Sequence, residues 1–197
     1  LVLVARDPQR SAFTLERLNQ IGPGVGHRAY HADLSRISEM KRVAAEIAAA
    51  EPRIDVLINN AGAYFGSRRV TEDGLERTFA LNHLAYFVLT QELLPLLKSA
   101  APSRIVNVSS GAHRGVRIDF DDLDYARGRY RPFVAYGRTK LMNLLFTREL
   151  ARRLAGTGVT VNAMHPGFVR TGFGQNNAGM LGTLVKWGQA FARTPEK

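Results

Sequence analysis

The sequence lacks cysteine altogether, so disulfides and thiolate metal sites are excluded. Long apolar runs are also missing, because no stretch approaches the roughly 18 residues that a membrane span needs. The chain does not open with a charged segment followed by an apolar one, which is the pattern of a secretion signal. We therefore expect a cytoplasmic protein with no membrane span.

Lysine is scarce, and acidic residues are few relative to arginine. Only five of the 27 basic residues are Lys, and the 17 acidic residues leave a net charge of +10. Such a charge could attract nucleic acid, an anionic membrane or a phosphorylated small molecule. The cations form no run of five, and neither an aromatic-rich RNA-binding signature nor zinc-finger spacing occurs. We interpret the excess as a solvated basic surface and expect no nucleic-acid partner.

The apolar residues that are present follow a regular order. With 197 residues, 45% of them apolar and 22% charged, the composition is typical of one globular domain over residues 1–197. Short apolar runs alternate with segments that carry helix start and stop signals, among them Asp7-Pro8 and a cap at Ser35. This alternation predicts an α/β fold, a doubly wound parallel sheet of the Rossmann-like type with helices on both faces. The predicted strands are 1–4, 28–31, 55–59, 104–108 and 159–164. The predicted helices are 8–19, 37–50, one or two helices over 71–97 that end near Pro95, and 134–154 closed by Gly156.

Polar or glycine residues follow every predicted strand at its carboxyl end. In an open α/β sheet, ligands bind beyond these ends. The sequence therefore predicts a single rim that forms a binding site. Its members are Arg6, Asp33, Asn59-Asn60-Ala61-Gly62, Ser109-Ser110 and His165-Pro166-Gly167.

Tyr136 and Lys140 are four residues apart in the last predicted helix, so both side chains lie on one helix face. A phenol with a pKa of about 10 is a poor acid at neutral pH, and a nearby cation lowers that pKa. With 6 Tyr and five Lys in the chain, such a pair arises by chance with a probability of about one in seven. The pair is a candidate proton-transfer device whose meaning depends on the rest of the rim.

Five motifs, taken in order, resemble those of the short-chain dehydrogenases/reductases. The resemblance covers nearly the whole chain. It is closer to the retinol dehydrogenase-like branch over residues 82–84, 102–110 and 144–150, and in the spacing of 26 positions from Ser110 to Tyr136. The five motifs are Asn59-Asn60-Ala61-Gly62, the Asn82 segment, Val108-Ser109-Ser110, Tyr136 to Lys140, and Pro166-Gly167.

The resemblance implies a catalytic set of four residues. Tyr136 would be the general acid/base that gives a proton to a carbonyl oxygen, and Ser110 would hydrogen-bond the same oxygen. Lys140 would hold the nicotinamide ribose and lower the pKa of Tyr136. Asn82, inside a helix, would hold a water that links Lys140 to solvent as a proton relay. The hydride itself would belong to the cofactor.

Purely structural roles remain open for several of these residues. Tyr136 could be a core residue beside a solvated Lys140, and Asn82 could bond its own helix backbone. Residues 59–62 could form an ordinary turn, because Asn and Gly tolerate left-handed conformations. Three histidines near the rim show no metal-ligand spacing, so we expect hydrogen-bonded or solvated imidazoles and no metal. They are His83, His113 and His165.

The choice of cofactor depends on Arg6. An acidic residue at this strand end would bind the free ribose 2′-hydroxyl of NAD, whereas a guanidinium matches a 2′-phosphate bidentately. Asp7 follows directly and either caps the helix or tolerates NAD, so we expect NADP(H), with NAD(H) as the alternative. By resemblance, Asp33 would meet the adenine amino group. The other implied cofactor-binding residues are Leu34, Asn60, Ala61, Gly62, Tyr136, Lys140, Pro166, Gly167, Val169 and Thr171.

The resemblance fails at the beginning of the chain. The sequence opens on what looks like the family's second strand, so the first strand and its glycine-rich pyrophosphate turn are absent from it. The glycines of residues 22–26 do not substitute, because no strand directly precedes them and Pro23 suits a loop. Since the missing strand is central in that fold, we expect two unpaired strand edges, and we hypothesise that the chain is part of a longer protein.

Residues 172–192 follow Pro166-Gly167, where the family has its variable substrate lid. Their apolar side chains suggest a lipophilic carbonyl or alcohol as substrate, and core packing is the alternative. Glycines in this stretch would let the lid move.

These features together predict an NADP(H)-dependent oxidoreductase that interconverts a lipophilic alcohol and its aldehyde or ketone. The alternative is a non-catalytic dinucleotide-sensing or scaffold protein on the same fold. Nucleic-acid binding, motivated by charge alone, is a third hypothesis. The helices over 71–97 and 134–154 resemble the family's subunit interface, so a homodimer or homotetramer is expected.

Overall fold

The computed structural model describes residues 1–167; Val169, Thr171 and the predicted lid over 172–192 lie outside the described residues. Strands and helices alternate along it, as the sequence pattern predicts. In chain order the elements are β1 Val2–Ala5, α1 Pro8–Ile21, β2 Arg28–His31, α2 Ile37–Ala50, β3 Val56–Asn59, α3 Arg77–Phe79, a π-helical turn Ala80–Leu84, α4 Ala85–Ser99, β4 Ser103–Val108, a 3-10 turn Gly111–His113, α5 Pro132–Arg153 and β5 Val159–Met164.

All strand pairs among these elements are parallel, which confirms the Rossmann-like α/β class. β1 pairs with β2, with Val2 opposite Arg28. β4 lies between β3 and β5, with Val56 opposite Arg104 on one side and Ser103 opposite Val159 on the other. Parallel neighbours of this kind bring their carboxyl ends to one edge of the sheet.

The strands of residues 1–167 form two sheets rather than one. One sheet has the order β1-β2 and the other has the order β3-β4-β5. Within residues 1–167, β1, β2, β3 and β5 each have a strand partner on one side only, which is two more edge strands than a single five-stranded sheet would have. Such edges present backbone N–H and C=O groups that no ladder satisfies.

One hydrophobic core packs against both sheets. The buried residues of α2 recur with helical spacing and contact α4. Partly buried side chains of β1 and β3 pack against the same core, so the two sheets share one layer of helices. Within the described part of the chain, none of the helices is both long and apolar enough to cross a bilayer. The shared core contains Met40, Val43, Ala44 and Ile47 of α2, Ala85, Leu89 and Leu93 of α4, Val2 and Val4 of β1, and Leu57 of β3.

Ser35 does not cap α2, contrary to prediction. Its N–H and Oγ both donate to Asp33 Oδ1, at 3.0 and 2.8 Å. The Ile37 N–H at the start of the helix donates instead to Asp73 Oδ2 at 2.9 Å. The cap comes from a residue distant in sequence, so the local pattern could not reveal it.

The helix predicted over 71–97 begins and ends later than expected. Residues 71–76 form a turn, in which the Thr71 N–H donates to the Leu75 carbonyl oxygen at 2.8 Å. The Glu76 carboxylate then accepts the N–H groups of the next helical residues and starts α3. At the other end, α4 continues through Pro95 to Ser99.

Candidate active site

Helix α5 holds Tyr136 and Lys140 against the carboxyl end of β4. Both side chains are buried, with 9% and 3% exposure respectively. Lys140 Nζ donates to the Val108 carbonyl oxygen at 2.9 Å and lies 5.7 Å from the centre of the Tyr136 ring. The alternative in which Lys140 is a solvated side chain is therefore wrong, and a buried cation stands beside the phenol.

Burial governs the protonation of this pair. Burial raises the pKa of the Tyr136 phenol, and a hydrogen bond with the Ser110 side chain opposes the rise. Burial also lowers the pKa of Lys140 from 10.5 to about 8. The expected lowering of the Tyr136 pKa by Lys140 is not found, because desolvation of the phenol outweighs the other influences. The ligand-free phenol therefore keeps its proton at neutral pH.

The two adjacent serines after β4 have different partners. Ser109 is 3% exposed, and its Oγ donates to the Lys140 carbonyl oxygen at 2.9 Å. Ser110 hydrogen-bonds the Tyr136 side chain, and its Oγ accepts the Ala112 N–H at 3.3 Å. The structure thus brings Ser110, and not Ser109, to the phenol.

Asn82 lies in the π-helical turn and is fully buried. Its Oδ1 accepts the Ala63 N–H, and its Nδ2 donates to the Ala63 carbonyl oxygen, each at 2.9 Å. The side chain therefore bonds the loop after β3 rather than its own helix, and the alternative that it serves its own helix backbone is wrong. Turns of the π type are frequent at functional sites.

Gly62 leaves a space beside Asn82 and Lys140. A Cβ at this position would lie 3.4 Å from Asn82 Oδ1 and 3.5 Å from Lys140 Nζ. Gly62 itself is exposed, so a ligand from solvent can approach its backbone, which lies close to the ammonium. We call this space at Gly62, beside Asn82 Oδ1 and Lys140 Nζ, the cradle; a ribose hydroxyl group placed there could accept a hydrogen bond from Lys140.

The loop that carries Gly62 is not an ordinary surface turn. Asn59 is 3% exposed, and its Nδ2 donates to Thr90 Oγ1 at 2.9 Å and to Asn107 Oδ1 at 2.8 Å. The loop is thus anchored in the core at Asn59 and reaches solvent at Asn60.

The remaining predicted rim residues follow the other strands. Arg6 is exposed at the end of β1, while Asp7 accepts the Gln9 and Arg10 N–H groups at 3.0 and 3.2 Å. Asp7 therefore caps α1, and its side chain stays half-exposed. Asp33 bonds Ser35, as described above. Leu34 is buried, Ala61 is half-buried, and Pro166 and Gly167 are exposed after β5.

Known proteins with similar sequences identify the family. A family model described as enoyl-(acyl carrier protein) reductase matches residues 2–192. Human retinol dehydrogenase 13 is 44% identical over 178 residues, which are 89% of this chain and 53% of that protein. The chain belongs to the short-chain dehydrogenase/reductase family. Retinol dehydrogenase 14 of Mus musculus is 49% identical over 168 residues, 83% of this chain and 49% of that protein. The chain spans about half the length of the curated relatives it matches.

Solved structures share the fold of this short-chain dehydrogenase/reductase. A protein from Mycobacterium paratuberculosis is 35% identical with a TM-score of 0.73, over 95% of this chain and 63% of that chain. Pseudomonas aeruginosa RhlG, solved as an NADP active-site complex, is 26% identical with a TM-score of 0.67, over 99% of this chain and 80% of that chain.

Three residues of this short-chain dehydrogenase/reductase site escaped sequence reasoning: Gly137, Thr139 and Asn143. Thr139 Oγ1 donates to the Tyr136 carbonyl oxygen at 2.7 Å. Asn143 is fully buried, and its Nδ2 donates to the Asn82 carbonyl oxygen at 2.9 Å. Spacings of three and seven residues from Tyr136 put Thr139 and Asn143 on its helix face, and this periodicity was the available signal.

Gly137 permits the close approach of α5 to the segment after Ser110. A Cβ here would meet the Ala112 carbonyl oxygen at 2.5 Å and Val116 Cγ1 at 3.0 Å. We expect Gly137→Ala to lower the free energy of unfolding by about 1–3 kcal/mol in spite of the better helix propensity of Ala, because backbone must move. Urea unfolding measures this. Gly26→Ala is the matched control, since nothing lies within 4 Å of that Cβ, and equal losses in both variants would contradict the packing argument.

The histidines are hydrogen-bonded or adjacent to the site backbone. His83 Nδ1 bonds Asn143 Oδ1 at 2.8 Å, and His113 Nδ1 bonds the Ser110 carbonyl oxygen at 2.6 Å. The His165 ring packs beside Gly111, 3.3 Å from where its Cβ would be. Within residues 1–167, no three His, Asp or Glu side chains form a group that could hold a metal ion.

Proposed function

We propose that this protein is an NADP(H)-dependent oxidoreductase that interconverts a lipophilic alcohol and its aldehyde or ketone, with Tyr136 as the general acid/base. One observation carries the proposal. The buried Tyr136 phenol is hydrogen-bonded to Ser110 and stands beside the buried Lys140 ammonium, next to the side-chain-free cradle at Gly62. A proton donor, a second hydrogen-bonding group and a cation thus converge where a dinucleotide can approach.

Tyr136 and Ser110 would act together on the substrate oxygen. The raised pKa of the phenol keeps its proton in place until a carbonyl oxygen with developing negative charge takes it. The Ser110 Oγ uses a lone pair to accept from Ala112, so its own hydrogen remains for the substrate oxygen or the phenol. Two donors on one oxygen stabilise the charge that develops during reduction.

Lys140 would stabilise the phenolate that remains after proton donation. With a pKa of about 8, the ammonium is mostly charged at neutral pH. The bound nicotinamide would supply the hydride. Asn82 fixes Ala63, and with it the loop against which Lys140 lies, so the cradle keeps its shape during proton transfer.

The substrate class is supported by the relatives. Human retinol dehydrogenase 13 and mouse retinol dehydrogenase 14 are named for a lipophilic alcohol, and the chain shares 44% and 49% of its aligned residues with them. We therefore infer that the preferred substrate of this protein is a long-chain or polyene alcohol, or the corresponding aldehyde.

Arg6 supports the choice of NADP(H), because its guanidinium is exposed at the end of β1 and matches a 2′-phosphate bidentately. We expect Arg6→Ala to weaken NADPH binding tenfold or more, since a charge-assisted pair with the 2′-phosphate is lost, and to change NADH binding less than twofold. Isothermal titration of both cofactors measures this. Arg10→Ala, which removes another exposed arginine of the same segment, is the control and should leave both affinities unchanged. An equal loss of NADPH and NADH affinity in Arg6→Ala would contradict the assignment.

Turnover tests the function as a whole. The full-length protein is mixed with NADPH or NADH and a panel of lipophilic and short-chain aldehydes and ketones, and cofactor oxidation is followed by absorbance. We expect NADPH-dependent reduction that favours the lipophilic members. Tight NADPH binding without turnover of any carbonyl would instead support the dinucleotide-sensing protein.

A further inference from the structure

A chain of buried amide groups links α5 to the turn that carries Asn82. Asn143 is fully buried. Its Nδ2 donates to the Asn82 carbonyl oxygen at 2.9 Å, and its Oδ1 lies 2.8 Å from His83 Nδ1. A carbonyl oxygen can only accept, so these two partners fix the orientation of the amide, and His83 must carry its proton on Nδ1.

Burial favours the neutral form of His83. Its ring lies 5.8 Å from Phe79 and 6.3 Å from Phe146, centre to centre. Burial lowers the pKa of His83; the bond to Asn143 opposes this, and the charge of Lys140 adds to it. A neutral imidazole with one N–H therefore points its donor at Asn143.

The other end of the chain reaches the cradle. Asn82 holds both backbone groups of Ala63 at 2.9 Å, and Ala63 follows Gly62 directly. Hydrogen bonds thus join His83 to Asn143, Asn143 to the backbone of Asn82, and the side chain of Asn82 to Ala63. The path ends next to Gly62, which lies beside the Lys140 ammonium.

Asn143 is also tied to the sheet. Thr147 Oγ1 donates to the Asn143 carbonyl oxygen at 2.7 Å and accepts from Asn107 Nδ2 at 2.9 Å. Asn107 Oδ1 in turn accepts from Asn59 on β3. Each of these polar side chains is buried, and a buried polar network is stable only when its members are satisfied together. The backbone of α5 at Asn143 is therefore linked to the sheet through Thr147 and Asn107.

We propose that Asn143, oriented by His83, is a positioning residue that fixes the π-helical turn at Asn82 and so holds the Gly62-Ala63 backbone against Lys140. The catalytic part of this inference rests on the proposed function, because the cradle matters for turnover only if Lys140 acts in it. The hydrogen-bond part does not rest on it and can be measured alone.

Two substitutions at His83 separate positioning from packing. His83→Phe keeps a ring between Phe79 and Phe146 but has no donor for Asn143. His83→Asn keeps an N–H near the position of Nδ1 but leaves part of the ring space empty. A packing role predicts that His83→Asn is the more damaging change, whereas a positioning role predicts the opposite order.

Amide hydrogen exchange at Ala63 is the readout that needs no turnover. We expect exchange at least tenfold faster than in the unsubstituted protein for His83→Phe, and within threefold of it for His83→Asn, because the Ala63 N–H is bonded directly to Asn82. We also expect kcat to fall tenfold or more in His83→Phe and to be rescued by His83→Asn. Unchanged Ala63 exchange in His83→Phe, or equal acceleration in the two variants, would overturn the inference.

A second pair of substitutions, both on α5, keeps the inference testable if a His83 variant fails to fold. Asn143→Ala removes both amide bonds, and Met142→Ala removes buried volume from the neighbouring position, which is 6% exposed. Only Asn143→Ala should accelerate Ala63 exchange tenfold, and equal acceleration would overturn the inference. Absence of turnover in the unsubstituted full-length protein would refute the proposed function, and the exchange measurements would still decide the role of Asn143.

Discussion

Replacing Tyr136 with Phe is expected to lower kcat for carbonyl reduction about a thousandfold. The substitution removes the single proton that the phenol donates, and proton transfer by a positioned side chain contributes about 10²–10⁴ in rate. The ring remains, and its burial and its edge contact with Tyr64, 6.2 Å between centres, keep the local packing. Affinity for NADPH should therefore change less than threefold, as measured by titration.

Tyr64→Phe is the matched control for this substitution. It removes a hydroxyl from the ring that packs against Tyr136, without removing the proposed acid. We expect kcat within threefold of the unsubstituted enzyme. A Tyr136→Phe enzyme with full turnover, or a Tyr64→Phe enzyme that loses as much, would show that the acid is misassigned.

Replacing Lys140 with Met should lower kcat about a hundredfold to a thousandfold. The ammonium balances the negative charge left on the phenol, and the loss of one such preorganised electrostatic contact typically costs about 10²–10³ in rate. Unlike Tyr136→Phe, the substitution should also weaken NADPH binding, because Lys140 faces the cradle at Gly62. Steady-state kinetics and titration together separate the two effects.

The pH dependence gives Lys140 a signature of its own. Burial lowers its pKa to about 8, so its charge is present below this pH and is lost as the pH rises through it. The rate of carbonyl reduction should therefore fall above pH 8 in the unsubstituted enzyme. The small residual rate of Lys140→Met should show no fall centred near pH 8. An identical alkaline fall in both proteins would mean that another group titrates.

The fold was largely predictable because the sheet is parallel and its strands are short apolar runs. β5 matches its predicted span of 159–164, where the buried Val159 and Val161 alternate with exposed residues at the period of a strand. Boundaries that depend on distant partners were not predictable. Asp73, which lies in the turn between β3 and α3, caps α2. It takes the role that the local sequence predicted for Ser35.

The sequence predicted which residues form the site, but not the hydrogen bonds and packing contacts between them. Motif order placed Ser110, Tyr136 and Lys140 at one rim, and the structure brings them together. The partner of Asn82 could not be read from the sequence, because Ala63 is 19 residues away and contributes only backbone groups. The sequence could not reveal the role of Gly137 for a similar reason, since the carbonyl oxygen that excludes a Cβ there belongs to Ala112, in the segment after Ser110.

The pKa of the Tyr136 phenol is also shifted in the direction opposite to the prediction. Spacing alone suggested a lowered phenol pKa, because Lys140 lies one turn away on the same face. The structure buries both groups, and desolvation raises the pKa of the phenol instead. Sequence spacing reports which charges are near each other but not how much water surrounds them.

Transfer of deuterium from labelled NADPH tests the central claim most directly. The full-length protein is incubated with NADPH that carries deuterium at both positions of the reactive carbon and with a long-chain or polyene aldehyde, and the alcohol is examined by mass spectrometry. We predict a product that carries one deuterium with the unsubstituted enzyme and about a thousandfold less product with Tyr136→Phe. Alcohol formed without deuterium, or no alcohol from any carbonyl despite bound NADPH, would contradict an oxidoreductase site at Tyr136.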